Sequence, residues 1–178
     1  MKRRPLVLWL ASFFSFPLTL KGEKSKRRKP APGDSLVFAF GGNKGMEIGL
    51  KDVGADIVFA FAKGADGSVK DGSLHNQISL VRVEKSAMSD KTKEYASSGV
   101  LAVSSACTHT GCEVSGWRKD TSELVCPCHG SRFAILDSAK VVNGPAIKPL
   151  AFLPIESEGD LIRVKGKFSR RVGPAPTY

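Results

Sequence analysis

Cysteine and histidine are concentrated in two short blocks of this sequence. All four cysteines and two of the three histidines fall there. The blocks are Cys107-Thr-His109-Thr-Gly-Cys112 and Cys126-Pro-Cys128-His129-Gly-Ser131. Thiolate sulfur and imidazole nitrogen are common protein ligands of zinc and of iron–sulfur clusters. Because a C-x-H pair and a C-x-x-H pair on separate segments can converge on one site, the sequence predicts a metal centre.

The residue types alone leave other interpretations open. A structural zinc site would use four ligands, and six candidates are present. Covalent haem attachment needs C-x-x-C-H, and the stretch from Cys126 to His129 has one residue too few between its cysteines. Two structural disulfides would leave two neighbouring histidines unexplained. None of these alternatives accounts for all six residues at once.

The two blocks resemble the two cluster-binding loops of Rieske iron–sulfur proteins in residue type, order and spacing. The similarity extends over about residues 100–165. The resemblance implies one [2Fe–2S] cluster per chain, with Cys107 and Cys126 on one iron and His109 and His129 on the other. Two neutral imidazoles in place of two thiolates lower the negative charge of such a cluster. Its reduction potential is therefore raised, which suits the oxidation of quinols.

The same resemblance implies roles for residues beside the ligands. In the high-potential branch of the family, the positions of Cys112 and Cys128 form a disulfide that ties the two loops together. Ser131 matches a serine whose hydroxyl donates a hydrogen bond to a bridging sulfide. Phe133 stands where many respiratory members have a tyrosine that hydrogen-bonds a ligand sulfur, so we expect a lower potential here. Gly144-Pro145-Ala146 resembles the third, proline-containing loop that shields the cluster.

Short runs rich in β-branched and aromatic residues recur along the chain with turn signals between them. They predict strands at Leu36 to Phe40, Ile57 to Ala62, Ile78 to Val83, Val100 to Ser104, Glu123 to Cys126, Leu150 to Ile155 and Leu161 to Val164. Helical signal is weak, and one or two helical turns are expected within Ser86 to Tyr95. The pattern indicates an all-β fold, an antiparallel sandwich or small barrel. The resemblance implies that a Rieske-type cluster-binding subdomain is part of it.

The N-terminus has the layout of an export signal. Lys2, Arg3 and Arg4 precede the apolar run Leu6 to Leu20, and a basic cluster, Lys24 to Lys29, follows it. The arginine pair resembles a twin-arginine signal, the export route for proteins already folded around their cofactors. Fifteen helical residues reach about 22 Å, against a hydrocarbon core of about 30 Å. We expect residues 1–33 to be a signal or membrane anchor with a basic linker, and residues 34–178 to be the Rieske domain.

The formal charge of +10 does not indicate a nucleic-acid binder. Nine of the 27 basic residues, against one of the 17 acidic ones, lie in residues 1–30, which leaves the remainder close to neutral. A folded part without a basic, aromatic-studded surface lacks what nucleic-acid binding requires. We therefore expect no nucleic-acid partner.

The function that these features favour is one-electron transfer as the iron–sulfur subunit of a periplasmic or membrane-linked oxidoreductase, exported across the cytoplasmic membrane. The resemblance covers both cytochrome bc complexes and the small subunit of arsenite oxidase. The expected partner is accordingly a cytochrome b or a molybdenum-containing subunit, with a quinol or cytochrome c as a further partner. A ferredoxin of a ring-hydroxylating oxygenase is the alternative, although such proteins lack the extra cysteine pair and the export signal. A zinc-stabilised binding module is a third.

Overall fold

The computed structural model describes residues 19–175 of the chain. The helices are α1 (Thr19–Lys26) and α2 (Asp90–Lys93), and single 3₁₀ turns lie at Leu50–Asp52, Leu74–Asn76 and Lys85–Ala87. The strands are β1 (Ser35–Phe38), β2 (Val58–Lys63), β3 (Ile78–Arg82), β4 (Val100–Ser104), β5 (Gly116–Arg118), β6 (Glu123–Cys126), β7 (Ser131–Ala134), β8 (Lys140–Asn143), β9 (Ile155–Glu158) and β10 (Leu161–Val164). The all-β expectation is confirmed.

The strands form two antiparallel sheets. The larger has the order β4-β3-β2-β1-β10-β9, and the smaller has the order β5-β6-β7-β8. Because β5 to β8 are consecutive in sequence, the smaller sheet is an insertion between β4 and β9 of the larger one. Both blocks of cysteine and histidine lie at its connections, one between β4 and β5 and the other between β6 and β7.

One apolar core belongs to the larger sheet, and a second contains residues of both sheets. Leu36, Ile78 and Ile162 are fully buried in the core of the larger sheet, together with the rest of its inward-facing aliphatic side chains. The second core surrounds Phe133 and Phe152 and includes the two cysteines that are not in a disulfide. β7 alternates buried and partly exposed residues, as a strand with one face on a core does. Apolar packing thus surrounds the two free cysteines, Cys107 and Cys126.

The segment before β1 is fixed to the larger sheet by buried polar groups. The Asn76 side-chain amide donates to the carbonyl oxygen of Arg28 at 2.7 Å, and the Lys70 ammonium donates to that of Lys29 at 3.2 Å. Lys70 also forms a buried ion pair with Asp34. A buried ion pair requires such additional hydrogen bonds to offset its desolvation. The basic residues after α1 therefore contact the domain along a defined path.

Three predicted strands, at Val100 to Ser104, Glu123 to Cys126 and Leu161 to Val164, have the predicted bounds. The prediction of a strand at Leu150 to Ile155 was wrong. That segment makes only an isolated bridge between Phe152 and Val103. Pro154 lacks a backbone N–H and interrupts any ladder there. The strand begins instead at its last residue, Ile155, where pairing with β10 starts.

The helical turns expected within Ser86 to Tyr95 are present as the Lys85–Ala87 turn and α2, and Ser89 caps α2 through a hydrogen bond from the Thr92 N–H. Helix α1 was not predicted. Most of the apolar run Leu6 to Leu20 lies outside the described residues. Within residues 19–175, no helix combines the length and apolar character needed to cross a bilayer.

Candidate metal centre

The first block forms a tight loop between β4 and β5. The Cys107 N–H donates to the Cys112 carbonyl at 2.8 Å, and the Gly111 N–H donates to the Cys107 carbonyl at 3.0 Å. Gly111 has φ +84°, a conformation that favours glycine. The chain therefore reverses between the two cysteines, and His109 lies at the turn between them. We call residues 105–115 loop 1.

The second block forms the connection between β6 and β7. Cys126 pairs with Ser131 at the end of the ladder, and the Gly130 N–H donates to the Cys126 carbonyl at 3.0 Å. Gly130 has φ +71°. Strand pairing thus fixes both ends of this short connection, residues 127–130, which we call loop 2. Its residues, including His129, are exposed to solvent.

A disulfide between Cys112 and Cys128 joins the two loops, with a Cα–Cα distance of 6.5 Å. The expected disulfide is confirmed. Since each of its cysteines lies within three residues of a histidine, the bond holds the two imidazole-bearing turns against one another. The Sγ atoms of Cys112, Cys126 and Cys128 lie within 4.8 Å of one another. Two of these sulfurs are bonded to each other, which leaves Cys126 as the thiol of that group.

The two histidines meet at the surface. The ring centroids of His109 and His129 are 4.8 Å apart, and the ring planes are at 89°. The Nδ1 atom of His109 is buried and has no hydrogen-bond partner among residues 19–175. A buried, unpaired ring nitrogen is costly, so it needs an explanation such as a ligand. The second imidazole, on His129, stands exposed beside it.

The two blocks also contain two free thiols. Cys107 and Cys126 are each about 1% exposed, and neither is in a disulfide. Burial raises the pKa of the Cys107 thiol above its ordinary value, and a hydrogen bond with the Cys126 thiol adds to this. Apolar burial keeps a thiol neutral and inert, whereas a bound metal cation deprotonates it. Two thiols and two imidazoles are therefore available as donors, and such a set would fit two irons with different ligands.

A third loop, residues 144–149, contacts loop 1 and the junction of loop 2 with β7. The Ala146 N–H donates to the Ser131 hydroxyl oxygen at 3.2 Å, and the Thr108 hydroxyl donates to the Lys148 carbonyl at 2.6 Å. Gly144 has φ +84°, and a Cβ atom there would lie 2.5 Å from the Cα atom of Ser131. The sequence indicated this loop, but it gave no signal for Thr108 as the contact to loop 1.

Two further residues singled out in the sequence, Ser131 and Phe133, are both fully buried. The oxygen of Ser131 accepts the Ala146 bond, which leaves its O–H available as a donor. Phe133 lies in the core that contains both thiols. The segment Arg170 to Ala175, which packs beside loop 1, was not expected. Its only sequence signal was an excess of basic residues.

Comparison with known proteins gives one consistent result. The family model described as the Rieske [2Fe–2S] domain matches residues 62–154. A cytochrome bc1 complex Rieske iron–sulfur subunit of Streptomyces lividans is 34% identical over 127 residues, which cover 67% of this chain and 73% of that protein. A Rieske subunit named for a respiratory nitrate reductase in Haloferax mediterranei is 47% identical over 98 residues.

These relatives differ in length. The match to the Haloferax protein covers 53% of this chain and 43% of that protein. The match to a second Streptomyces subunit, from S. coelicolor, covers 35% of that protein. Among solved structures, the plasma membrane Rieske protein of the cyanobacterium Synechocystis is similar with a TM-score of 0.40 and 30% identity, covering 61% of this chain and 86% of that one. From the family match, and from the identity and coverage of the S. lividans relative, the chain belongs to the Rieske [2Fe–2S] domain family.

Proposed function

We propose that this chain carries one electron at a time between larger redox proteins. The ligands of its cluster are Cys107 and Cys126 on one iron and His109 and His129 on the other. When bound, a [2Fe–2S] cluster accepts and releases a single electron. The observation that carries the proposal is that two adjacent imidazoles and two buried free thiols lie in two blocks that a disulfide joins.

Each part of the chain has a distinct task in this function. Burial of Cys107 and Cys126 keeps water away from the iron that these cysteines would bind. The histidines would lie on the side of the cluster that a partner protein contacts. Ser131, buried at the start of β7, accepts a hydrogen bond from the Ala146 N–H and keeps its own O–H free to donate. The disulfide and the third loop hold the two ligand loops in place, so little rearrangement is needed when charge changes.

The exposed tip is the proposed docking face for a partner. Pro127, His129 and Gly130 are exposed there. Ile147 of the third loop is 83% exposed, a large apolar side chain beside the site. A contiguous exposed apolar patch with a polar rim is typical of a protein contact site. We propose that a cytochrome b or a molybdenum-containing subunit covers this tip, with a quinol or cytochrome c as the further electron partner.

The names of the relatives support a subunit of a respiratory complex. They name a cytochrome bc1 complex and a nitrate reductase. A ferredoxin of an oxygenase system is less well supported, because the curated relatives above are named as subunits of respiratory complexes. The Cys112 to Cys128 disulfide supports an oxidising compartment, because disulfides persist outside the cytosol.

We propose accordingly that the chain acts in the periplasm or on the outer face of the cytoplasmic membrane, exported by the twin-arginine route. Residues 1–33 serve as the signal or anchor with its linker, and residues 34–178 form the Rieske domain. Purification from native membranes, followed by identification of the co-purifying subunits, tests the partner. Co-purification of a cytochrome b would indicate a subunit of a cytochrome bc complex. Co-purification of a molybdenum-containing subunit would indicate a subunit of the arsenite oxidase type.

The ligand assignment is tested by replacing each histidine in turn. His109→Ala and His129→Ala should each abolish the Rieske electron-paramagnetic signal, because each removes an imidazole from the same iron. His75→Ala is the matched control, since His75 is exposed in the Leu74–Asn76 turn and should leave the signal unchanged. An unchanged signal in either ligand variant would contradict the assignment, and zinc without iron in the purified parent would contradict the function.

A further inference from the structure

A small cavity lies between loop 1, the third loop and the segment Arg170 to Ala175. Its volume is about 290 Å³, and its wall includes Thr108, Lys148 and Pro174. Thr108 stands between the proposed ligands Cys107 and His109 in sequence. The cavity is therefore adjacent to the metal centre, yet none of the four proposed ligands forms part of its wall.

Three cations line this cavity, and none of the described residues in its wall is acidic. The cations are Lys148, Arg170 and Arg171. None of the three forms an ion pair or a side-chain hydrogen bond within residues 19–175. The C-terminal segment adds no carboxylate side chain of its own, because residues 161–178 contain five basic residues and no acidic one. A cleft lined by one sign of charge concentrates ions of the opposite sign.

Arg170 adds a second, independent observation. Its Nε atom is buried and meets no acceptor among the described residues. A buried donor that has lost water is costly unless an acceptor replaces the water, and such a group calls for an ion or a water at the site. Guanidinium groups bind phosphate-type oxygens through paired N–H donors, and a lysine adds a point charge.

We propose that this cavity binds a small oxyanion of the phosphate class, held by Arg170, Arg171 and Lys148. The source is either a free anion or the phosphoryl headgroup of a lipid. Building on the electron-transfer function above, the anion and an added electron oppose each other, because both bring negative charge to the same end of the molecule. Coupling between two sites is reciprocal, so the oxidised protein binds the anion more tightly and the anion lowers the reduction potential.

The experiment measures binding directly on the purified holoprotein. Inorganic phosphate is titrated calorimetrically at constant ionic strength, and sedimentation with vesicles of phosphatidylglycerol in phosphatidylcholine forms the second arm. The site variant is Arg170→Gln with Arg171→Gln. The control is Lys44→Gln with Lys91→Gln, which removes two exposed charges that form no ion pair in the described part of the chain.

The parent and the control should bind one phosphate per chain, or sediment with the anionic vesicles, and the site variant should lose at least about tenfold in affinity. Binding of inorganic phosphate would mean that the site takes a free anion. Binding to the vesicles without binding of phosphate would mean that the site takes a lipid headgroup. No binding in either arm, or equal binding by the site variant, overturns the proposal.

The redox arm compares oxidised and reduced holoprotein. A tenfold weaker affinity of the reduced form corresponds to a fall of about 59 mV in the potential at saturating anion. An anion-independent potential overturns the coupling. An intact electron-paramagnetic signal in the site variant separates failure of this site from failure of the electron-transfer function, because that signal depends on the four ligands and not on the arginines.

Discussion

The contact between Gly144 and loop 2 yields a sharp prediction for the substitution Gly144→Ala. Gly144 has φ +84°, where an L-residue costs about 1–2 kcal/mol. A Cβ atom would also lie 2.5 Å from Ser131 Cα, 2.7 Å from Ser131 N and 2.9 Å from Gly130 C. Carbon atoms pack best at about 3.5 Å or more, so the third loop must move by roughly 1 Å.

Gly33→Ala is the matched control for the backbone cost. Gly33 has φ +86° and is also exposed, and no heavy atom lies within 4 Å of its added Cβ. Its N–H bond to the Val164 carbonyl remains possible in the variant. Gly33→Ala should therefore show the conformational cost alone, and Gly144→Ala should show that cost with an overpacking cost of about 1–3 kcal/mol added.

Thermal unfolding of both holoprotein variants at one scan rate measures the difference. For a chain of this size, 1 kcal/mol shifts Tm by about 2–4 °C. Gly33→Ala should lower Tm by about 2–8 °C, and Gly144→Ala by about a further 2–12 °C. The g-values of the electron-paramagnetic spectrum should change in Gly144→Ala only, because the displaced backbone adjoins His129. Equal losses in Tm with identical spectra would refute the steric argument.

Three further predictions concern the sulfur groups and their neighbours. Replacing both Cys112 and Cys128 with serine should lower the free energy of unfolding by about 3 kcal/mol, as expected for a cross-link over 16 residues. Thiol titration of the parent, unfolded without reductant, should find two thiols per chain and not four. Ser131→Ala should lower the reduction potential by about 40–130 mV in voltammetry, because a hydrogen bond to sulfur worth about 1–3 kcal/mol favours the reduced state; an equal or higher potential would mean that this serine donates no such bond. Phe133→Tyr should raise the potential by a similar amount, and an unchanged value would show that the new hydroxyl does not reach a sulfur.

The sequence predicted those strands whose apolar residues are continuous and whose ends carry turn signals. Val100–Ser104 is buried at every position and was found with its bounds correct. Strands β5, β7 and β8 were missed because they are three or four residues long and mix polar with apolar side chains. Their pairing becomes evident only when a neighbouring strand is in place, as with β7, which pairs with both β6 and β8.

Helix α1 escaped prediction for a different reason. Apart from Leu20 and Gly22, its residues are polar or charged and form no apolar stripe, so hydrophobic periodicity cannot reveal it. A pair of opposite charges four residues apart, Glu23 and Arg27, was the available signal, and their side chains lie 3.6 Å apart. Such exposed pairs contribute little, which makes them weak evidence when read in advance.

The candidate site was more predictable than the elements that surround it. Ligand type and spacing are local properties, so the two loops could be inferred from two short blocks, and the resemblance of those blocks to a known family implied the disulfide. The contacts between loop 1 and the rest of the chain could not, because Thr108 meets Lys148 and Gly111 lies beside Pro174 across 40 and 63 residues of sequence. Nothing local marks either partner.

Contacts of several different kinds hold the three loops in place. Loop 1 is held by a hydroxyl-to-carbonyl bond from Thr108, and loop 2 by the Asn143 side-chain amide, which donates to the Gly130 carbonyl at 3.2 Å. The disulfide then joins loop 1 to loop 2, and the third loop contacts both. Each loop is thereby held by two others or by a strand end. Loss of one support should shift the imidazoles without releasing the buried thiols, because Cys107 and Cys126 are held separately by the core around Phe133.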